Sequence, residues 1–262
     1  MQMNSSPKRT ALLLGSSKGL GFGVADALTR KGVDVIFVGR DQAALQSAEA
    51  KLQGRDGSTI SIAGDLSDAH SVAQMIAETD RRVSGIDILL LNGGGPPPIA
   101  ASDYDEQFWQ KQFSAMFLSQ LEIAAHYLPG MRQRGFGRII AVSSTSIREP
   151  IPGLAASNAL RSALAGWAKT LATEVAGKGV TVNVLLPGRF ATERTTRLDA
   201  MDAAQRGIDQ GVVAADSQRE IPVGRYGRVD EFAAVAAFLA SEEASYVTGV
   251  ALPVDGGLSR SI

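Results

Sequence analysis

The chain has 262 residues, 45% of them hydrophobic, and 26 Lys plus Arg nearly balance 27 Asp plus Glu for a net charge of −1. A chain this long buries a sizeable core; without a basic excess it does not suit nucleic acid or an anionic membrane surface, and no apolar run nears the roughly 18 residues of a bilayer span. Zero cysteines exclude disulfides, thiolate zinc and cysteine nucleophiles, and with only His70 and His126 no metal site is expected.

Residues 1–9 lack the apolar stretch of a signal peptide and read as a flexible arm on a soluble cytoplasmic protein. Seven short aliphatic runs follow, at 11–15, 33–39, 58–64, 85–92, 137–144, 180–187 and 249–257. Between them apolar positions recur at helical spacing, as at Val24 and Leu28 or at Val72, Met75 and Ile76. Near-continuous apolar strands alternating with helices imply an α/β fold, its parallel sheet covered on both faces. No repeat or Pro/Ser-rich linker divides the chain, so a single domain is expected over 10–262. The densest loop signal is GGGPPP at 93–98, and the polar stretch 189–225, which has no strand pattern, reads as a lid.

The first run enters a turn in which Gly15, Gly19 and Gly21 are spaced G-x-x-x-G-x-G before a helix. Glycines there let backbone approach a pyrophosphate, which then sits on the helix N-terminus; a tight helix–strand turn would use the same glycines. In a dinucleotide-binding unit, the residue that meets the adenosine ribose lies about 20 residues further on, at the end of the second strand. Arg40 holds that place. A guanidinium pairs with a 2′-phosphate, whereas a carboxylate would take a 2′-hydroxyl. With Lys18 as a second cation, NADP(H) is expected rather than NAD(H). In the alternative, Arg40 is a solvated charge and Asp41 meets the ribose, although Asp41 also suits the N-cap of the next helix.

Taken together, these segments resemble the short-chain dehydrogenase/reductase family over nearly the whole chain, and within it the 3-oxoacyl-(acyl carrier protein) reductases. GSSKGLG is similar to the family's glycine turn, which implies cofactor contacts from Gly15, Ser17, Lys18, Gly19, Leu20 and Gly21, with Leu14 where threonine is usual. By the same resemblance AGDLSD puts Asp65 and Leu66 beside adenine. DILLLNGGG brings Asn92 and Gly93 to the cofactor, Leu91 replacing the first asparagine of the usual Asn-Asn-Ala-Gly. GRIIAVSS puts Ser144 at the catalytic serine position. VNVLLPGRFATE supplies Pro187, Gly188 and Thr192, the last as the nicotinamide carboxamide contact. IPVGRYGRVDEFAAVAAFLASEEASYVTGVALPVDGG matches the family's C-terminal quarter. The resemblance implies seven strands in one doubly wound, Rossmann-like sheet, a small carbonyl or acyl-thioester substrate, and a homotetramer.

The family delivers protons through a tyrosine, a lysine, a serine and an asparagine. The family's serine-to-tyrosine interval from Ser144 places Ser157 at the tyrosine position, a family lysine matching Lys169 eight residues on places Arg161 at the lysine position, and counting seven from Trp109 puts Met116 at the asparagine position. A serine hydroxyl is a far weaker acid than tyrosine, whose reference pKa is about 10, and a guanidinium is a fork rather than a compact ammonium. Ser144, Ser157 and Arg161 are therefore the candidate catalytic groups, Arg161 also touching cofactor or a carboxylate. Alternatively, Ser144 caps a strand end and Ser157 is the N-cap of the following helix. Arg148 and Arg189 flank the expected cleft, as anion contacts or as solvated charges. None of the four tyrosines falls at the catalytic spacing; Tyr226 is the one placed to substitute as acid. Two functions follow: an NADP(H)-dependent oxidoreductase, or a catalytically inert NADP(H)-binding sensor or assembly subunit.

Overall fold

A computed structural model describes residues 8–261, so that residues 1–7 of the expected arm lie outside the described residues. In chain order the elements are β1 (Thr10–Leu13), α1 (Gly19–Thr29), β2 (Asp34–Gly39), α2 (Gln42–Lys51), β3 (Thr59–Ala63), α3 (Ala69–Arg82) and β4 (Ile88–Leu91). Then come α4 (Glu106–Phe113), α5 (Ser119–Arg134), β5 (Gly137–Val142), α6 (Ala155–Val175), β6 (Val180–Pro187), α7 (Glu193–Arg206), α8 (Gln210–Glu220), α9 (Val229–Leu239) and β7 (Ala251–Val254). Each of the seven aliphatic runs overlaps one strand, β1 starting one residue before its run. The segment 189–225, read as a lid, holds the two helices α7 and α8.

The strands form one parallel sheet in the order β3-β2-β1-β4-β5-β6-β7. The chain builds outward from β1 to β3, then returns to the other side of β1 with β4. Where a doubly wound sheet reverses in this way, its crossover helices diverge to opposite faces and leave a crevice at the carboxyl ends of the strands. Here that crevice lies between β1 and β4.

Strand alternation divides the core in two. Leu12, Ile36, Leu89 and Ile139 point to one face and pack with Met75 of α3, Ile123 and Met131 of α5, and Leu164 and Leu171 of α6. Their neighbours Leu13, Phe37, Leu90 and Ile140 point to the other face, with Val24 and Leu28 of α1, Leu45 of α2 and Phe232 of α9. Both faces are thus dry, which is why the strands read as unbroken apolar runs. No helix among the described residues is long and apolar enough to cross a membrane.

Helices α1 and α9 press together at Gly23, where an added Cβ would stand 2.3 Å from Val229 Cγ1. Alanine is the better helix former by about 1 kcal/mol, yet here the overlap outweighs that gain. Gly23→Ala is expected to lower stability by about 1–3 kcal/mol in urea unfolding, and Val229→Ala in the same chain to recover part of the loss. An unchanged or higher midpoint for Gly23→Ala alone would show that the contact constrains nothing.

Candidate active site

The turn after β1 is shaped by what glycine lacks. Gly15 adopts φ +56°, and a Cβ there would stand 2.6 Å from Asn92 O; a Cβ on Gly21 would stand 2.6 Å from Gly15 O. The bare backbone instead lets Asn92 Nδ2 donate to Gly15 O at 3.1 Å, joining the ends of β1 and β4. Ser16 Oγ donates to Leu13 O at 2.6 Å and accepts from Val38 N at 3.3 Å, holding the turn to β2. Lys18 is the N-cap of α1 and puts no side-chain acceptor over the helix's first amides. Over Gly19 (φ +60°) the nearest atom to an added Cβ is Thr192 Cγ2 at 3.9 Å. Uncapped amides beside open space accommodate a phosphate group.

At the end of β2, Asp41 Oδ1 accepts from Ala44 N at 3.1 Å and caps α2. Its carboxylate is committed to the helix, and Arg40 is the strand-end charge that lines the cleft. Burial alone would raise the Asp65 carboxyl. The N–H and Oγ–H of Ser67, with the charges of Arg40 and Lys111, hold it below the ordinary carboxylate value.

Across the crevice, β5 runs into Ser143 and Ser144. Ser144 Oγ accepts from Ser146 N at 3.1 Å, capping the short turn Thr145–Ile147 while lining the cleft. Ser157 is not the N-cap of its helix. That position belongs to Leu154, because Ile99 bridges to Leu154 with Ile99 N on Gly153 O and Ala155 N on Ile99 O. This extended bridge ends at Leu154, and the helix starts at once, carrying Ser157 into its first turn. The buried Ser157 Oγ accepts from Arg161 Nε at 3.2 Å.

Arg161 turns its guanidinium to the main chain. Nη1 donates to Val142 O at 2.9 Å and to Ser143 O at 2.7 Å, and Nη2 donates to Gly94 O at 2.5 Å. With the bond to Ser157, four of roughly five donors on the group are used, leaving one for a cofactor or carboxylate. Desolvation, and then the charge of Arg194, pull its pKa down to about 10.

The other flanking candidates are occupied. Arg148 donates to Ala251 O and Ser261 O, and Arg189 pairs with the buried Asp199. Tyr226 OH donates to Asp199 Oδ2 at 2.8 Å. Tyr104 and Tyr246 stand in solvent, Tyr127 is buried in the core, and no tyrosine lines the cleft. Met116 sits in a π-helical turn, Ser114–Leu118, between α4 and α5. Such a turn frees a carbonyl from the ladder, and Gln120 Nε2 donates to Met116 O at 2.6 Å.

One cleft of about 1970 Å³ unites these pieces. Its lining includes Gly15, Ser17, Lys18, Gly19, Leu20, Arg40, Asp65, Leu66, Asn92, Gly93, Ser144, Ser157, Arg161, Pro187, Gly188 and Thr192. Of the residues expected from the sequence to touch cofactor or take part in catalysis, Gly21 alone is absent from this lining, packed on Gly15 and Ser16. Thr192 caps α7, accepting from Thr195 N at 3.4 Å, and its neighbour Glu193 pairs with Lys18 at 2.9 Å. The helical hairpin α7–α8 stands on an isolated bridge between Phe190 and Gly227, with Ala191 N on Gly227 O and Gly227 N on Arg189 O, both at 2.9 Å.

Sequence reasoning overlooked two groups. Gln120 is a buried amide on an otherwise apolar helix face, a signal available in the sequence. Arg194 reaches from α7 to Gly95, and nothing in the local pattern marks it.

Residues 15–259 match the family model described as Enoyl-(Acyl carrier protein) reductase. The chain is 31% identical over 251 residues to dehydrogenase/reductase SDR family member 4 of Homo sapiens, covering 95% of this chain and 87% of that one. It is 31% identical over 253 residues to the 3-oxoacyl-[acyl-carrier-protein] reductase of Haemophilus influenzae, covering 97% and 99%. The L-sorbose reductase of Gluconobacter frateurii, solved with NADPH and L-sorbose, superposes with a TM-score of 0.92 at 27% identity, covering 97% and 98%.

Arg161→Ala would leave the carbonyls of Val142, Ser143 and Gly94 without their donor. A stability loss of about 2–4 kcal/mol is expected in chemical unfolding, against about 1 kcal/mol or less for Ser157→Ala. Equal losses would show that the guanidinium does not hold this backbone together.

Proposed function

The chain belongs to the short-chain dehydrogenase/reductase family, and on that footing we propose that it is an NADP(H)-dependent oxidoreductase acting on a carbonyl or 3-oxoacyl substrate, as a cytoplasmic homotetramer. The observation that carries the cofactor choice is the strand end of β2, where Asp41 is spent as a helix cap and Arg40 is left facing the cleft. Arg40 and Lys18 take the 2′-phosphate, and the first amides of α1 at Gly19 and Leu20 take the pyrophosphate, with Gly21 packed behind them so that the helix can start close to the strand. Gly15 and Ser17 border the phosphates, Asp65 and Leu66 border adenine, and Asn92, Gly93, Pro187, Gly188 and Thr192 flank the nicotinamide end. The bound nicotinamide supplies or accepts the hydride.

In this reading Ser157 and Arg161 stand where the family places its tyrosine and lysine. Ser144 and Ser157 present hydroxyls to the substrate oxygen. Ser157 Oγ accepts from Arg161, so its own proton is free to point outward, and the nearby guanidinium favours negative charge developing on that oxygen. A hydroxyl this weak donates poorly, and replacing the general acid costs about 10²–10⁴ in rate; solvent completes the transfer. The absence of a tyrosine from the cleft supports the second reading, an NADP(H)-binding protein without turnover.

Fluorescence titration is expected to give NADPH an affinity at least about tenfold above NADH, with Arg40→Asp removing that preference. NADPH oxidation is then followed with β-ketoacyl thioesters, ketones and quinones. Slow turnover that Ser157→Ala lowers further supports the oxidoreductase; tight NADPH binding with silence across the panel assigns the protein to the second reading. NADH binding as tightly as NADPH would overturn the cofactor assignment.

A further inference from the structure

Two guanidinium groups from different elements close on one short loop. Arg161 of α6 holds Gly94 O, and a Cβ at the next residue, Gly95, would stand 1.8 Å from Arg194 Nη1 of α7. Only glycine lets the Arg194 side chain lie this close over the loop. Desolvation and the charge of Arg197 pull Arg194 below the ordinary arginine value. The other arginines of the hairpin and its stem are paired: Arg189 with Asp199, Arg206 with Asp202, Arg219 with Asp216, and Arg225 with Glu231. Among the described residues, Arg194 and Arg197 have neither an ion pair nor a hydrogen-bond partner, and both line the cleft.

The acids along the same cleft are committed elsewhere. Asp26 pairs with Arg30 and Arg55, Glu193 with Lys18, Asp202 with Arg206, and Asp230 with Arg228. Asp65 accepts from Ser67, and Asp199 takes both Arg189 and Tyr226. No carboxylate in the cleft makes an ion pair or hydrogen bond with Arg194 or Arg197; Glu193, whose direct partner is Lys18, reaches Arg197 only through its charge. The cofactor's phosphates, placed as above, have donors of their own in α1, Lys18 and Arg40. The remaining positive charge therefore belongs to the space beside Gly94, Gly95 and Ser157.

We infer that the substrate carries a carboxylate, bound by the Arg194 fork with Arg197 beside it, over the Gly94–Gly95 loop. A planar guanidinium matches a carboxylate in two parallel hydrogen bonds, and the arrangement holds the rest of a small oxo-acid toward the Ser157 hydroxyl. The substrate class is thus narrowed from carbonyls in general to those bearing a nearby acid group. This inference rests on the cofactor reading above.

Calorimetric titration of the NADP+-saturated protein with malonate tests it, with uncharged malonamide as control. Malonate is expected to bind and malonamide not to bind. Arg194→Gln is expected to weaken malonate at least about tenfold, Arg194→Lys to weaken it less, and NADP+ affinity to move by less than about twofold. Failure of malonate to bind the wild type, or unchanged malonate affinity in Arg194→Gln, overturns the inference. So does a tenfold loss of NADP+ in Arg194→Gln together with competition between malonate and NADP+ on the free protein, because the guanidinium then serves the cofactor's pyrophosphate. If NADP+ fails to bind the wild type, the cofactor reading falls separately, and malonate titration of the unloaded protein still decides whether the anion site exists.

Discussion

Gly15 and Asn92 meet where β1 and β4 end, and the placement of every cleft residue follows from that meeting. A side chain at position 15 would occupy the space of Asn92's own carbonyl oxygen, whereas bare backbone lets the asparagine amide fasten the two strand ends together. These are the strands between which the sheet reverses direction. The crevice that any such reversal creates is thereby held at a fixed width. The uncapped amides of α1 face it from one side and the hydroxyls of Ser144 and Ser157 from the other, although roughly half the molecule's length of chain lies between them. Neither group could address a common ligand if the strand ends drifted apart.

Behind that crevice, two polar side chains close gaps in the backbone. An ammonium at position 161 would offer three donors from a single point. The guanidinium there spans the end of β5 and the loop after β4 at once, reaching three carbonyls and a hydroxyl. Gln120 does a similar service at the π turn, where its amide takes the carbonyl of Met116 and its nitrogen lies where a Cβ on Gly93 would come within 2.5 Å. Both groups serve architecture first. The hydroxyls in front of them keep protons to donate, and this division between a sealed backbone and exposed donors sets what the site can do chemically.

The strands were legible because both faces of the sheet are dry: seven aliphatic runs needed no partner information to be recognised. Their grouping into one doubly wound sheet came from family resemblance, and their order within it only from the structure. Of the two readings of Ser157, the N-cap fails, because the contact that sets the start of α6, the Ile99–Leu154 bridge, joins segments far apart in sequence. Asp41 as a helix cap was readable, since capping is a local matter. The reach of Arg161 to backbone carbonyls and the position of Arg194 over Gly95 were not, because main-chain acceptors leave no mark in a residue pattern. Arg148, Arg189 and Tyr226 were plausible cleft groups by position, and each turned out to have a partner that only the packed structure supplies.

The bridge between Phe190 and Gly227 fastens both feet of the α7–α8 hairpin at one point, and Phe190 is anchored in turn edge-on to Phe232 of α9. A long insertion tethered so tightly costs little chain entropy to keep folded, since its ends are already joined. A second attachment lies beyond α8, where Val223 N donates to Gly256 O at 3.2 Å. Thr192, Glu193 and Arg194 lie just past the Phe190–Gly227 bridge, at the start of α7, so their positions relative to the sheet are set by one and the same attachment.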